Sequence, residues 1–484
     1  MEAKGVMKQK IIGVALLVAV VSAEQAGAQE AGAVIDAATK AMGTAGLQSI
    51  QYSGAGSVFM LGQNPRPEAP WPRFRVIKYD ASVRYDVPGL REELVRIDDE
   101  NPPRGGGAGG FVPATGQGGM RPILGEQRIV RQATPRTEVG QLQIWMTPHG
   151  FLKAAAANKA TLAQAGGRRA LTFTALGKYT VTGTLTDQNL VERVETRIDN
   201  PLLGDMVVES AYSEYRDVGG VKFPGRIVDR LGGHPTLDIT VGSVRPNGAA
   251  TLEIAAAPPA GEGGGALKAT SERLGSGVWV ITAGLNSVLV EFTDHLVVVE
   301  ALGNDARSHA VIAEVKRLVP NKPLRYLVNT HAHFDHSGGV RAFAAEGATI
   351  LTHEVNKPFF EKVLTLPHRI NPDSLSKSPR KAAVEGVGAR RVLTDGTQTL
   401  ELHHIRGNLH NDGLLVAYLP RERVLVQADA FHPRPGAKPY PTPPQFTVNF
   451  VENIERLKLD VARVLHIHGG NDPMAVVAKA AGRP

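Results

Sequence analysis

The chain contains no cysteine. Disulfides, thiolate metal ligands and a cysteine nucleophile are excluded, so any metal must be held by histidine and carboxylate. Aromatic residues are scarce, at 5%. Beyond the N-terminus no stretch is long and apolar enough to span a bilayer, which takes roughly 20 residues. Neither sign of charge dominates, with 54 Lys and Arg against 47 Asp and Glu. The net charge of +7 is interleaved with acids, as in Arg421-Glu422-Arg423. It reads as a solvated surface, and no nucleic-acid partner is expected. Turn formers are plentiful: 53 Gly and 32 Pro in 484 residues. That length suits two domains, each able to bury a core.

The N-terminus has the order of a secretory signal. Lys4, Lys8 and Lys10 precede the apolar run Ile11 to Val21, and small residues follow, with Ala26-Gly27-Ala28 and Val21-Ser22-Ala23 as cleavage candidates. Residues 1–28 are expected to be a signal peptide and the protein to be exported, periplasmic or secreted. The apolar core is short for a membrane span, so none is expected after cleavage.

Residues 29–254 read as a mainly antiparallel β domain. Val34 to Met42 is an expected opening helix. Tyr179 to Leu185 and Leu190 to Ile198 flank Asp187-Gln188-Asn189 and predict a hairpin. Strands are expected at Val207 to Tyr215, Lys222 to Arg230 and Thr236 to Val244, with Gly219-Gly220 and Gly232-Gly233 as turns. Gly105 to Gly119 is expected to be a long loop. The strand rhythm, with Tyr212-Ser213-Glu214-Tyr215 and Gly219-Gly220-Val221-Lys222-Phe223-Pro224, resembles the periplasmic lipoprotein carriers. That resemblance implies a half-barrel and an apolar ligand. Residues 255–266, AAAPPAGEGGGA, are a linker by composition, and residues 267–484 are expected to fold alone.

From Leu267 the rhythm changes. Strands are expected at Val278 to Thr282, Ser287 to Phe292 and Leu296 to Glu300, then an amphipathic helix at Ala306 to Leu318 and an apolar strand at Leu324 to Asn329. Further strands follow at Ala348 to Thr352, Arg391 to Leu393, Thr399 to Ile405, Leu414 to Leu419, Val424 to Gln427 and Val464 to Ile467, with a helix at Phe450 to Leu457. Two runs of strands with helices between and after predict an α/β fold, a four-layer αββα sandwich.

After the Leu324 strand comes Thr330-His331-Ala332-His333-Phe334-Asp335-His336-Ser337-Gly338-Gly339. Burying several imidazoles without partners is too costly to be incidental. Alternation puts His331 and His333 on one side of an extended backbone, and a turn at Asp335-His336 aims two more ligands at an adjacent point. One segment can therefore serve two metal ions.

H-x-H-x-D-H after a strand resembles the signature of the metallo-β-lactamase superfamily. The superfamily's remaining ligands match His410 in Arg406-Gly407-Asn408-Leu409-His410, Asp429 after the Val424 strand, and His468 in His466-Ile467-His468-Gly469-Gly470. The resemblance implies one metal on His331, His333 and His410, a second on Asp335, His336 and His468, and Asp429 bridging them. Sulfur-free N and O ligands suit two zinc ions, and manganese or iron also fit. The implied activity is hydrolysis of a small ester, lactone, amide or thioester by a metal-bridging hydroxide that the catalytic residue Asp335 orients. His333 stands where the diiron flavoprotein branch carries Glu, which argues against redox chemistry. Asp429 stands where common β-lactamases carry Cys, which moves the expectation from β-lactams to the wider hydrolase group. Glu300 stands where many members carry Asp. A dedicated β-lactamase and a non-catalytic ligand carrier are the alternatives.

Asn411, His353 and His432 are candidate substrate contacts at the rim, whose specificity loops are expected at Glu354 to Gly388 and Phe431 to Thr447. His403 and His404 point to opposite strand faces, so at most one approaches the site, and His466 is expected behind the ligands.

Overall fold

The computed structural model describes residues 29–106, 125–248, 267–378, 380–432 and 442–483. The proposed signal peptide, the linker and most of the Gly105 to Gly119 stretch lie outside the described residues, as do residues 433–441 of the Pro-rich rim segment. Among the described residues no helix is long and apolar enough to cross a membrane.

The N-terminal region opens with a helix over residues 29–42, followed by an eleven-stranded sheet whose edges are Gln127–Ala133 and Thr161–Ala165. Every pairing in it is antiparallel. The first strand, Ser49–Phe59, lies between Arg73–Arg84 and the last strand, His234–Pro246. The expected hairpin forms from Tyr179–Leu185 and Val191–Asn200, with Asn189 in the left-handed region that such a turn requires. The expected strand Lys222 to Arg230 is divided. Val221–Phe223 pairs with Arg216–Val218, and Arg226–Leu231 joins the large sheet. Pro224 cannot donate a ladder hydrogen bond, which accounts for the break. Two helices, Glu138–Met146 and Pro148–Ala157, fall inside the region read as β. Thr137 and Thr147 cap them by accepting from Gly140 and Gly150 amides. Phe151, Leu152, Ala154 and Ala155 of the second helix join a core with Leu171, Phe173, Val181 and Val194 of the sheet.

The C-terminal region is the expected sandwich. A seven-stranded sheet begins with the antiparallel strands Thr270–Gly275, Val278–Ala283, Leu285–Glu291 and Leu296–Val299. It continues in parallel through Leu324–Val328, Thr349–His353 and Ala383–Val387. The second sheet has six strands, from Arg390–Thr394 to Asn471–Pro473. The inner strands are apolar on both faces, and their period of two sorts side chains between layers. Val288, Val290, Val297 and Val299 meet Leu402, Leu415, Ala417, Val426 and Leu465 between the sheets. Leu289, Leu296 and Val298 face outward to helices Asp305–Leu318 and Val340–Glu346. Val416, Leu425 and Val464 face outward to helix Gln445–Leu457.

The two regions are docked against each other. Leu202 of the N-terminal region is buried in the outer core of the sandwich. Asp205 accepts from the Arg369 and Ile370 amides, and its own amide donates to the Pro367 carbonyl at 3.0 Å. His368 lies 3.2 Å from Asp199. The stretch Glu354 to Gly388, expected as a specificity loop, thus contains a docking segment together with helix Lys357–Val363 and strand Ala383–Val387.

Candidate metal centre

The strand ends of the two inner strand runs meet at one edge of the sandwich. Past Val328 the chain turns through Asn329 and Thr330 into His331 and His333, then into the single turn Phe334–Ser337 that carries Asp335 and His336. His410 lies in the loop between Thr399–His404 and Leu415–Leu419. Asp429 follows Val424–Gln427, and His468 follows Arg463–His466.

These residues converge as two groups. His331, His333, His410 and Asp429 each offer one ligand atom, and these lie within 4.8 Å of one another. Asp335, His336, Asp429 and His468 do the same. Asp429 belongs to both groups. Its Oδ2 is 3.1 Å from Nε2 of His336 and of His410 and 3.7 Å from His331 Nε2, while Oδ1 is 2.9 Å from His468 Nε2. Asp429 holds φ of 63° and Glu300 φ of 78°, a conformation that costs a side-chain-bearing residue of order 1–3 kcal/mol and clusters at functional sites. Gln427 builds the turn that carries Asp429. Its Oε1 accepts from the Ala430 and Phe431 amides, and its Nε2 donates to the Phe431 carbonyl.

Among the described residues, His331 Nε2, His333 Nδ1, His410 Nε2 and Asp335 Oδ2 are buried and make no hydrogen bond. The opposite atoms of three of these side chains are all engaged. His331 Nδ1 is 3.0 Å from Thr330 Oγ1, His333 Nε2 donates to the Asn64 carbonyl at 2.9 Å, and Asp335 Oδ1 accepts from Gln63 Nε2 at 2.7 Å. Buried polar atoms are rarely left unpaired. Gathered around the Asp429 carboxylate, with three of the four side chains tied down on their far sides, these atoms form a donor set that could hold a cation.

The electrostatics agree. Burial, then the neighbouring imidazoles, holds His331 well below the usual histidine pKa. Burial and His410 do the same to His333, so both are neutral imidazoles with a lone pair to offer. Burial also works against protonation of His336, but Asp429, Asp335 and Glu300 outweigh it and hold its pKa well above the usual value. Burial pushes the Asp429 pKa up, and His336, His468 and His432 more than reverse that, leaving it well below the usual carboxylate range. His336 Nε2 and His468 Nε2 face each other at 3.0 Å.

Residues 283–468 match the model of the metallo-beta-lactamase superfamily. Those residues belong to the metallo-beta-lactamase superfamily. A curated relative, the 2,4-dinitroanisole O-demethylase subunit alpha of Nocardioides sp. (strain JS1661), is 26% identical over 190 residues, 39% of this chain and 53% of that protein. The chain thus spans about half the length of the curated relative it matches. Among solved structures, the metallo-beta-lactamase from Pontibacter korlensis is 16% identical with a TM-score of 0.35, covering 44% of this chain and 98% of that one. The metallo-beta-lactamase from Hirschia baltica is 21% identical with a TM-score of 0.34, covering 45% and 99%.

Within this metallo-beta-lactamase superfamily domain, Glu300 is fully buried and ties the ligand segment to its strand. Oε1 accepts from the Thr330 amide at 2.8 Å and Oε2 from His336 Nδ1 at 2.6 Å. The rim candidates separate. His432 stands beside the centre, its Nε2 2.8 Å from Asp429 Oδ1. Asn411 is engaged by the protein itself. It is fully buried, accepting from the Gly413 amide at 2.9 Å and donating to the Asn64 carbonyl at 3.4 Å. His353 lies in neither ligand group. It caps the Val355 amide, and its ring centroid is 3.9 Å from that of His404. His403 is 2.8 Å from Glu401, and His404 Nε2 donates to the Asp412 carbonyl. Neither belongs to the ligand groups. His466 lies behind the ligands, held by Gln427 and Asp472, and its carbonyl accepts from Asn286 of the other sheet. Gln63, Asn64 and Gln427 were not expected from the sequence. Amides carry no ligand signature, and the first two are 272 and 269 residues from the side chains they hold.

Proposed function

We propose that the chain is an exported hydrolase whose centre binds two divalent ions, zinc first among them. His331, His333 and His410 hold one ion, Asp335, His336 and His468 hold the other, and Asp429 is shared. The observation that carries this reading is the set of buried, unpaired atoms His331 Nε2, His333 Nδ1, His410 Nε2 and Asp335 Oδ2 around the Asp429 carboxylate. Once bound, two such ions polarise a carbonyl oxygen and acidify a water molecule. The chain's own residues do the positioning. Asp335 orients the attacking water, the carboxylate of Asp429 fixes the separation of the two ligand groups, and His432 contacts the substrate next to Asp429.

The substrate class follows from the ligand set and from the curated relative. A carboxylate at 429 gives the second group a hard, oxygen-rich character. That character suits an oxygen leaving group better than the anionic nitrogen expelled from a β-lactam. The demethylase relative is named for a substrate whose oxygen is carried on a nitro-substituted ring. We therefore place aryl esters and lactones ahead of amides, thioesters and β-lactams.

Elemental analysis of the full chain is expected to find about two metals per protein, mostly zinc. On the zinc-loaded protein, kcat/KM for an aryl ester or a lactone is expected to exceed that for nitrocefin. Nitrocefin turnover above both would restore the β-lactamase reading. Two bound ions with no turnover of any of the three would favour a ligand carrier. Export is tested by N-terminal sequencing from the source cell, with a start near Gln29 expected and a retained Met1 against it.

A further inference from the structure

A second domain reaches into the metal centre. The loop over residues 60–72 leaves the first strand of the N-terminal sheet and passes between the H-x-H-x-D-H turn and the His410 loop. Gln63 and Asn64 at its tip are buried, at 3% and 6% exposure. Gln63 Nε2 donates to Asp335 Oδ1 at 2.7 Å, and the Asn64 carbonyl accepts from His333 Nε2 at 2.9 Å. These are the far sides of the two ligands whose near atoms, Asp335 Oδ2 and His333 Nδ1, are unpaired.

The loop is built to hold that position. The Asn64 side chain donates to the carbonyls of Arg66, Pro67 and Ala69, folding the loop so that its own carbonyl faces outward to His333 and Asn411. The Gly62 carbonyl accepts from the Phe334 amide, the Pro65 carbonyl from Asp412 and the Leu409 carbonyl from Gly105. Arg104 pairs with Asp412. Two glycines lie in close contact with their surroundings. A Cβ on Gly62 would lie 2.1 Å from the Phe334 ring, and one on Gly106 would lie 1.8 Å from Gln63 Oε1.

Resting on the two-ion reading above, we propose that the metal centre is completed across the domain boundary, with Gln63 and Asn64 as positioning residues. Gln63 fixes the carboxylate of Asp335 so that Oδ2 faces the centre. The Asn64 carbonyl fixes the proton of His333 on Nε2, leaving the Nδ1 lone pair for a metal. Partners of this kind typically set metal affinity by 10–100-fold. The two contacts serve different ligand groups, so removing each affects a different ion.

The test uses the full-length chain and zinc alone, titrated against a competing chelator, with cobalt substitution to report which group is filled. Gln63→Leu keeps the volume and removes the donor. It is expected to weaken the Asp335 group about ten- to a hundredfold and leave the His333 group unchanged. Asn64→Ala loosens the loop and is expected to weaken the His333 group instead. Thermal unfolding of the metal-free proteins shows whether each variant is folded, and an imidazole NMR spectrum reads the His333 tautomer directly in wild type. Wild-type affinities at both groups in folded Gln63→Leu, equal loss at both groups, or a His333 proton on Nδ1 would each overturn the proposal while the two-ion reading stood. Wild-type protein that takes up no zinc would overturn both.

Discussion

The two ligand groups share Asp429 but differ in what stands behind them. The first is three imidazoles and a carboxylate, and burial keeps His331 and His333 neutral. The second adds Asp335, and Glu300 lies behind His336, so that Asp429, Asp335 and Glu300 together raise the pKa of its imidazole against the effect of burial. The first group offers lone pairs with little competition from protons. The second has the greater negative charge, and its carboxylates favour a proton that competes with a cation. The contrast implies that the first group is the more forgiving of pH and the second the more dependent on its carboxylate surroundings.

The sharpest way to break this contrast is His333→Ala. It removes one of three imidazoles from the first group and is expected to lose that ion and reduce kcat/KM on the order of a thousandfold, about 4 kcal/mol of transition-state stabilisation. Zinc stoichiometry near one, with the second group still filled, is the accompanying result. A variant retaining two ions would show that His333 is not a ligand. Glu300→Gln tests the second group. It leaves the shape but removes the charge that faces His336 and Thr330. Zinc affinity there is expected to fall about 10–100-fold, with the first group unmoved, and chelator competition on the two groups reads this directly. Selective loss from the first group would reverse the assignment. His432 contacts Asp429 but is not itself a proposed ligand, so His432→Ala is expected to leave both ions bound while raising KM more than it lowers kcat. Loss of metal would make His432 a ligand. The smallest effect is expected from Asn411→Ala, which leaves the Gly413 amide without its acceptor. Thermal or urea unfolding should register about 1–2 kcal/mol, with zinc content unchanged.

The sandwich was legible because its strands are apolar on both faces and bounded by turns. Val424–Gln427 falls where the sequence places it, and helix Asp305–Leu318 within a residue of its expected start. Val311 and Ser308 of that helix are fully buried. The seven residues proposed as ligands were legible because imidazole and carboxylate at fixed offsets after a strand are a chemical pattern. The N-terminal sheet was only half legible. Strand Ser49–Phe59 carries two glycines and only Ile50 and Val58 among its fully buried apolar side chains, so its alternation is faint. Helix Pro148–Ala157 is a run of alanines whose burial comes from the sheet beneath it. Gln63 and Asn64 were illegible. A polar loop between two strands becomes part of the centre only through the docking of two domains, and no local pattern encodes that.

Strand Ser49–Phe59, from which the 60–72 loop departs, is held on one side by His234–Pro246, with Val58 opposite Leu237. The loop itself springs from a local hairpin, because Phe59 pairs with Arg73 at its base, whereas the seat of that hairpin in the sheet depends on a partner nearly two hundred residues away, a non-local pairing of the kind that slows folding. Full zinc affinity at His333 and Asp335 is therefore expected to return in refolding only after the sheet has closed and seated the loop.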